Sequence, residues 1–203
     1  MASGQAAFVH PTAVIDEGAV LHEGVKVWHF CHVRSTAILE RDVSLGRDVY
    51  VDSGVRVGRG SRIQNGVSVF AGLRIAPWCF IGPHVTFTND ISPRAGKKSW
   101  KIVETHLETG SAIGAGAIIR CGITLGAFAM VGAGAIVTKV VPPFHLALGF
   151  PAECRQMVCA CGETFLPIAS TPAELVRDCC REQLAEEVYE AAEKEVGRLR
   201  ERR

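Results

Sequence analysis

Residues 9–87 read VHPTAV IDEGAV LHEGVK VWHFCH VRSTAI LERDVS LGRDVY VDSGVR VGRGSR IQNGVS VFAGLR IAPWCF IGPHVT F, and every sixth residue from Val9 to Phe87 is large and apolar. Four residues after each stands a smaller or slimmer partner, from Ala13 and Ala19 through Val25 and Cys31 to Cys79 and Val85; Ser61 is its polar member. At the third step past the aliphatic sit Gly18, Gly24, Asp42, Asp48, Gly54, Gly60, Gly66 and Gly72. These residue types tolerate positive φ at a tight corner. A strand alternates with period two and a helix buries a face of period 3.6, so neither yields a strict beat of six with turn residues inside it. Short strands that meet at corners and stack coil upon coil do yield it, which makes the chain all-β and a parallel β-helix.

The beat returns at Leu107 and runs through Ile113, Ile119, Leu125, Val131 and Val137. Phe87 and Leu107 are twenty residues apart instead of six, so about fourteen residues, His106 the last, are expected to leave one corner as a loop within 88–106. The pattern resembles the left-handed β-helix of the hexapeptide-repeat acyltransferases. That resemblance implies a three-sided prism with eighteen residues per coil, here nearly seven coils. The prism is expected over residues 8–150, with an extension over 151–203. In the extension Thr171, Pro172 and Glu174 read as a helix start, and Leu175, Cys179, Leu184, Val188, Ala192, Val196 and Leu199 continue as an apolar face of a C-terminal α-helix.

The 203 residues carry a net charge of +1, and the basic ones are dispersed, which argues against a nucleic-acid partner. No apolar run is long enough to span a membrane and the N-terminus lacks the marks of a signal peptide, so a cytoplasmic location is expected. Of eight cysteines, Cys31 and Cys79 occupy inward columns, where a thiol acts as a small hydrophobe. The stretch CACG at 159–162 is half of a zinc knuckle, but the adjacent Cys179 and Cys180 match the second half poorly. The expectation is therefore redundant thiols and no metal requirement.

A rigid rod takes its chemistry from what interrupts or decorates it. Besides the loop, which contains Asn89 and Arg94, there are unusual outward residues: Trp28, His29, His32, Gln64, Asn65 and His84. The hexads beginning at Val27, Leu45, Ile63 and Ile81 lie three apart, so on a three-sided prism Trp28, His29, Arg47, Gln64, Asn65 and His84 form one strip. Ala115, Ala133 and Pro151 follow at intervals of eighteen as a ladder of small corner residues against which a slender ligand can lie, with Lys139 expected nearby to meet a phosphate.

The motifs IQNGVSVF (63–70), GPHVTFTN (82–89) followed by Pro93-Arg94, WHFCHV (28–33), IGAGAIIRCGITLG (113–126), VGAGAIVTK (131–139) and GFPA (149–152) resemble the nucleotide-diphospho-sugar 3-N-acetyltransferases of bacterial O-antigen and amino-sugar biosynthesis. The resemblance covers residues 8–155. It implies acetyl-CoA as donor, a homotrimer with active sites between subunits, and no required metal. It assigns Ala115, Ala133, Lys139 and Pro151 to the cofactor, and Gln64, Asn65 and Arg94 to the sugar. Trp28, His29 and His32 join the sugar side from the outward set. Asn89 falls at the reacting centre, with His84 a candidate general base beside it. Gly66 and Phe70 depart from the family's usual asparagine and tyrosine. The implied substrate is a nucleotide-linked amino sugar of the UDP-2-acetamido-3-amino-2,3-dideoxy-glucuronate type. The alternatives are a dTDP-3-amino-3,6-dideoxyhexose and a non-catalytic trimeric scaffold. A zinc hydratase on the same prism needs a histidine pair five residues apart, which the spacing of three from His29 to His32 does not supply.

Overall fold

A computed structural model of the chain describes residues 6–201. The two-residue strands Phe8–Val9, Lys26–Val27, Ser44–Leu45, Arg62–Ile63, Phe80–Ile81, Ala112–Ile113 and Met130–Val131, then His145–Leu148, stack in parallel as the first face. The second face begins at Val14–Ile15 and ends at Ile136–Val137, in sheets of four and three strands. The third runs from Val20–Leu21 to Thr124–Leu125 in a sheet of six. Val27, Leu45, Ile63 and Ile81 are successive register partners, eighteen residues per coil. The coils form a left-handed β-helix of about eight turns. The turn beyond the sequence count is closed by His145–Leu148, where Ala147 pairs with Val131 sixteen residues earlier, so the last coil leaves the period of six.

The two inward columns explain the stability of so narrow a rod. Val27, Leu39, Leu45, Val51, Ile63, Ile81, Ile113 and Ile119 are completely buried. Each contributes roughly 1.5–3 kcal/mol by leaving water. The corners obey the same logic: Gly18, Gly24, Asp42, Asp48, Gly54, Gly60, Gly66 and Gly72 all have positive φ. Ser61, the polar exception, is also fully buried, its hydroxyl donating to the Ala76 carbonyl (3.1 Å) and accepting from the Cys79 N–H (3.0 Å).

Between Thr86–Phe87 and Thr105–Leu107 the chain leaves the prism at the edge joining the second and third faces. The base of this loop is closed by the Val103 N–H donating to the Asn89 carbonyl at 3.0 Å. His106 does not belong to it. It sits within the strand, in register between Arg74 and Thr124, because the third face resumes before the inward aliphatic Leu107.

Beyond the prism, Glu153–Val158 turns back antiparallel on His145–Leu148 and pairs with Phe165–Leu166. The expected single helix is three pieces. The Thr171–Glu174 capping box starts only a 3-10 turn at Pro172–Glu174; α1 spans Asp178–Gln183 and α2 spans Glu186–Glu201. The Leu184 backbone is extended between the two helices, which resets the apolar face. Phe128, Phe144, Met157, Leu166, Leu175, Ala192 and Val196 form a second small core against the prism edge joining the third and first faces. Glu187 at the start of α2 reaches Arg59 (3.0 Å) and Arg41 (3.8 Å) on that edge. Among the described residues no helix is long and apolar enough to cross a membrane.

Candidate functional site

The edge joining the first and second faces carries most of the residues singled out from sequence. Its backbone climbs in identical steps: Asp48 N–H to His29 carbonyl (3.0 Å), Gly66 to Arg47 (2.9 Å), His84 to Asn65 (2.9 Å), Gly116 to Pro83 (2.9 Å) and Gly134 to Ala115 (2.8 Å). Trp28 and His29 therefore lie at the bottom of a line that passes Arg47, Gln64, Asn65 and His84 and continues to Ala115 and Ala133. Gly149–Pro151 closes the line above, where the Gly149 carbonyl accepts from the Ile136 N–H at 3.0 Å. The polar strip and the small-residue ladder are two stretches of a single edge.

Along the strip runs an open groove of about 310 Å³, lined by Trp28, His29, Arg47, Gln64 and Asn65. Its wall is built from below: Trp28 packs on Phe8 (5.3 Å between ring centres) and His29 stacks on His10 at 3.5 Å. The Asn65 side-chain oxygen Oδ1 accepts the Arg47 backbone N–H at 2.9 Å, which fixes the amide one coil above the arginine. At Gly66, φ is +70°, and a Cβ there would stand 2.6 Å from Nδ1 of His84. The missing side chain leaves room for the His84 ring, itself held at a corner with φ of +57°. Higher up, Gly116 and Gly134 border open space, with nothing within 4 Å of where a Cβ would stand.

Asn89, Arg94 and Lys139 do not lie on this edge. Phe87, Ile119 and Val137 are in register on the second face, so Asn89, Cys121 and Lys139, two residues past each, share the opposite edge of that face. Lys139 is thus removed from the alanine ladder by the width of a face. Arg94 stands in the exposed part of the loop, donating to the Pro93 carbonyl at 3.0 Å. His32, the remaining sugar-side candidate, lies off this edge as well. It is on the second face, with Nε2 2.8 Å from Asp16, whose other oxygen takes the Arg34 guanidinium at 2.9 Å. The His32 and Arg34 partners hold the Asp16 carboxyl below its ordinary pKa, the His32 hydrogen bond contributing most.

The family described as "Hexapeptide repeat of succinyl-transferase" matches residues 36–71 and 105–139, the two blocks of coils on either side of the loop. The matched blocks together make up about a third of the chain. A 57-residue stretch of the chain (28% of it) is 44% identical to dTDP-3-amino-3,6-dideoxy-alpha-D-galactopyranose 3-N-acetyltransferase of Aneurinibacillus thermoaerophilus. A 44-residue stretch (22%) is 46% identical to an acyl-[acyl-carrier-protein]–UDP-N-acetylglucosamine O-acyltransferase of Brucella ovis. The matches span 30% and 16% of those proteins' lengths. Among solved structures, a hexapeptide-repeat containing acetyltransferase from Vibrio cholerae, complexed with acetyl coenzyme A, superposes with a TM-score of 0.53 at 23% identity over 60% of this chain and 70% of the other. A maltose O-acetyltransferase from Clostridium difficile 630 gives 0.52 at 22% identity, over 59% and 67%. These two likenesses bear on the fold.

Two features of the chain had no place among the expectations from sequence. A cavity of about 1060 Å³ lies between the third face, with Arg56, Arg74 and His106, and the Lys194, Glu195 and Arg198 side of α2. The recurrence of outward arginine at 56 and 74, one coil apart, was its trace in the sequence. The expectation of four unrelated thiols is also corrected: the sulfurs of Cys159, Cys161, Cys179 and Cys180 all lie within 4.8 Å of one another. Spacing alone hid this, because α1 folds back onto the hairpin at 159–164.

Proposed function

We propose that the chain is an acetyl-CoA-dependent N-acetyltransferase acting on the 3-amino group of a nucleotide-linked amino sugar, of the UDP-2-acetamido-3-amino-2,3-dideoxy-glucuronate type. The observation that carries the reading is the continuity of one prism edge, polar and aromatic in its lower coils and lined by small residues beside open space in its upper coils. Such an edge suits a substrate with hydroxyl, amide and phosphate groups below and a long thin thioester carrier above. A second reading, a dTDP-3-amino-3,6-dideoxyhexose as acceptor, is favoured by the 44% identical stretch shared with the Aneurinibacillus enzyme.

In this mechanism Gln64, Asn65, Trp28 and His29 bind the sugar nucleotide, Ala115, Ala133 and Pro151 flank the carrier, and Arg94 and Lys139 meet phosphate or carboxylate groups. The thioester supplies an activated acetyl carbonyl. Asn89 orients the amine against it, which lowers the entropic part of the barrier. A backbone N–H of the corner ladder faces the oxygen on which negative charge develops. As the C–N bond forms, the carbonyl–sulfur bond breaks and the carrier leaves as a thiolate; the proton lost by the nitrogen is received by His84 at its corner above Gly66. Asn89 and Lys139 stand across the second face from the groove, which supports a pocket formed between prisms of a homotrimer; a cytoplasmic location belongs to the same reading.

Thiol release from acetyl-CoA, followed against a panel of UDP- and dTDP-linked 3-amino sugars, tests the reading. Turnover with a UDP-linked 3-amino uronate is expected. Turnover confined to dTDP deoxyhexoses selects the second reading, and silence with every 3-amino sugar removes both.

A further inference from the structure

We infer that Cys159, Cys161, Cys179 and Cys180 form a tetrathiolate zinc site that fastens α1, and the segment leading into α2, to the hairpin at 159–164 within the C-terminal extension. All four sulfurs lie within 4.8 Å of one another, and the separations include 3.4 Å (Cys159 to Cys161), 3.6 Å (Cys161 to Cys179) and 4.0 Å (Cys159 to Cys179). Zinc–sulfur bonds of about 2.3 Å in a tetrahedron place the sulfurs about 3.8 Å apart, which those distances bracket. Soft thiolates in this geometry select zinc over the hard cations.

The backbone around the thiols has the form of a metal knuckle. Gly162 takes φ of +85°, and its N–H donates to the Cys159 carbonyl at 2.9 Å. The Cys159 N–H donates to the Thr164 carbonyl at 3.0 Å, closing the hairpin, and the Thr164 N–H points at the Cys159 sulfur at 3.2 Å. From the other side the first turn of α1 delivers Cys179 and Cys180, and the Ala160 N–H donates to the Leu175 carbonyl at 2.9 Å. The site thus ties the hairpin to the segment that leads into α2. A need for such a tie follows from the extension's own packing, because its core is a handful of side chains and small units of this size depend on staples.

Binding involves no oxidation. Four thiol protons leave to solvent, four Zn–S bonds form, and the centre carries a net charge of −2. This site is remote in kind from the acetyl-transfer reading and stands or falls separately from it.

Full-length protein, purified under reducing conditions and analysed for metals, is expected to hold one zinc ion per chain. Replacement by cobalt(II) is expected to give the intense visible bands of a tetrahedral thiolate complex. Cys159→Ser with Cys161→Ser is expected to abolish both and to open residues 159–201 to protease while the coils at 8–150 stay protected. Should that variant not fold, the wild-type protein decides: removal of zinc by a chelator is expected to expose four reactive thiols, and added zinc to mask them again. Four thiols that react equally with and without zinc, disulfides among them in the freshly purified chain, or stoichiometric iron instead of zinc would each overturn the assignment.

Discussion

Ser61 shows how strictly the inner column constrains a single side chain. Its hydroxyl is the acceptor for the buried Cys79 N–H and a donor to the Ala76 carbonyl, both one coil above. Ser61→Ala keeps the slim shape the column demands but strands that N–H without water. A loss of about 1–3 kcal/mol in a urea titration is expected, and an unchanged midpoint would show that the neighbouring coil relaxes to supply another partner. Gly66 is constrained from outside the prism instead. Asparagine is the non-glycine residue best suited to φ of +70°, so Gly66→Asn should fold but lower thermal stability modestly, through backbone strain and displacement of the His84 ring. Its Cβ enters the space of that ring. Under the proposed chemistry kcat is expected to fall by about a hundredfold, the lower end of the range for loss of a positioned acid–base group. Full activity in that variant would remove His84 from the proton path. The positive-φ corners held by glycine or aspartate were readable because the demand is local, whereas those at Phe30, Thr36, Trp78, His84, Phe128 and Phe144 carry no such residue type and follow only from the period. The Gly66–His84 contact was not readable, because it joins residues eighteen apart whose meeting depends on the length of a coil.

At the scale of an element, most strands of the prism are only two residues long and each is held by its neighbours in the stack. What decorates a face therefore matters to the coils beneath it. On the second face Asp16, His32 and Arg34 link two coils, with Arg34 also 3.3 Å from the Tyr50 hydroxyl. The Asp16 pKa is depressed in the folded chain, so its contribution is present above the ordinary carboxylate range and is lost as pH falls through the lowered value. Thermal melts of the wild type and of Asp16→Asn should be separated by a constant interval at neutral pH and should converge in acid. A gap that persists below that range would assign the effect to shape and not to charge. Register, faces and the strip were legible because a period of six leaves no freedom: once Val27, Leu45 and Ile63 share a face, Trp28, Arg47 and Gln64 must follow. The loop and the extension obey no period. The break in period located the loop's exit but gave His106 to it, although the strand resumes at Thr105. The apolar spacing after Thr171 did not reveal the turn at Leu184 that splits the helix.

For the whole molecule, the decisive fact is that the second face separates two sets of residues assigned to one reaction. Trp28, His29, Gln64 and Asn65 border it on one side, Asn89 and Lys139 on the other, and a rod this rigid cannot bend to join them. The proposed homotrimer resolves the difficulty by setting one edge of each prism beside the other edge of its neighbour. Light scattering should then return three times the 21.8 kDa chain mass. A stronger test exploits the division itself. A variant with Gln64→Ala and Asn65→Ala loses one half of the pocket and Asn89→Ala the other, so each homotrimer should be nearly inactive. In trimers assembled from an equal mixture, each pocket draws its two halves from different chains, and roughly a quarter of the pockets receive both halves intact. Activity should reappear on mixing to about that fraction of the wild-type value. If both halves belonged to a single prism, no mixture of the two variants would recover any, and the division of the site between neighbours would have to be abandoned.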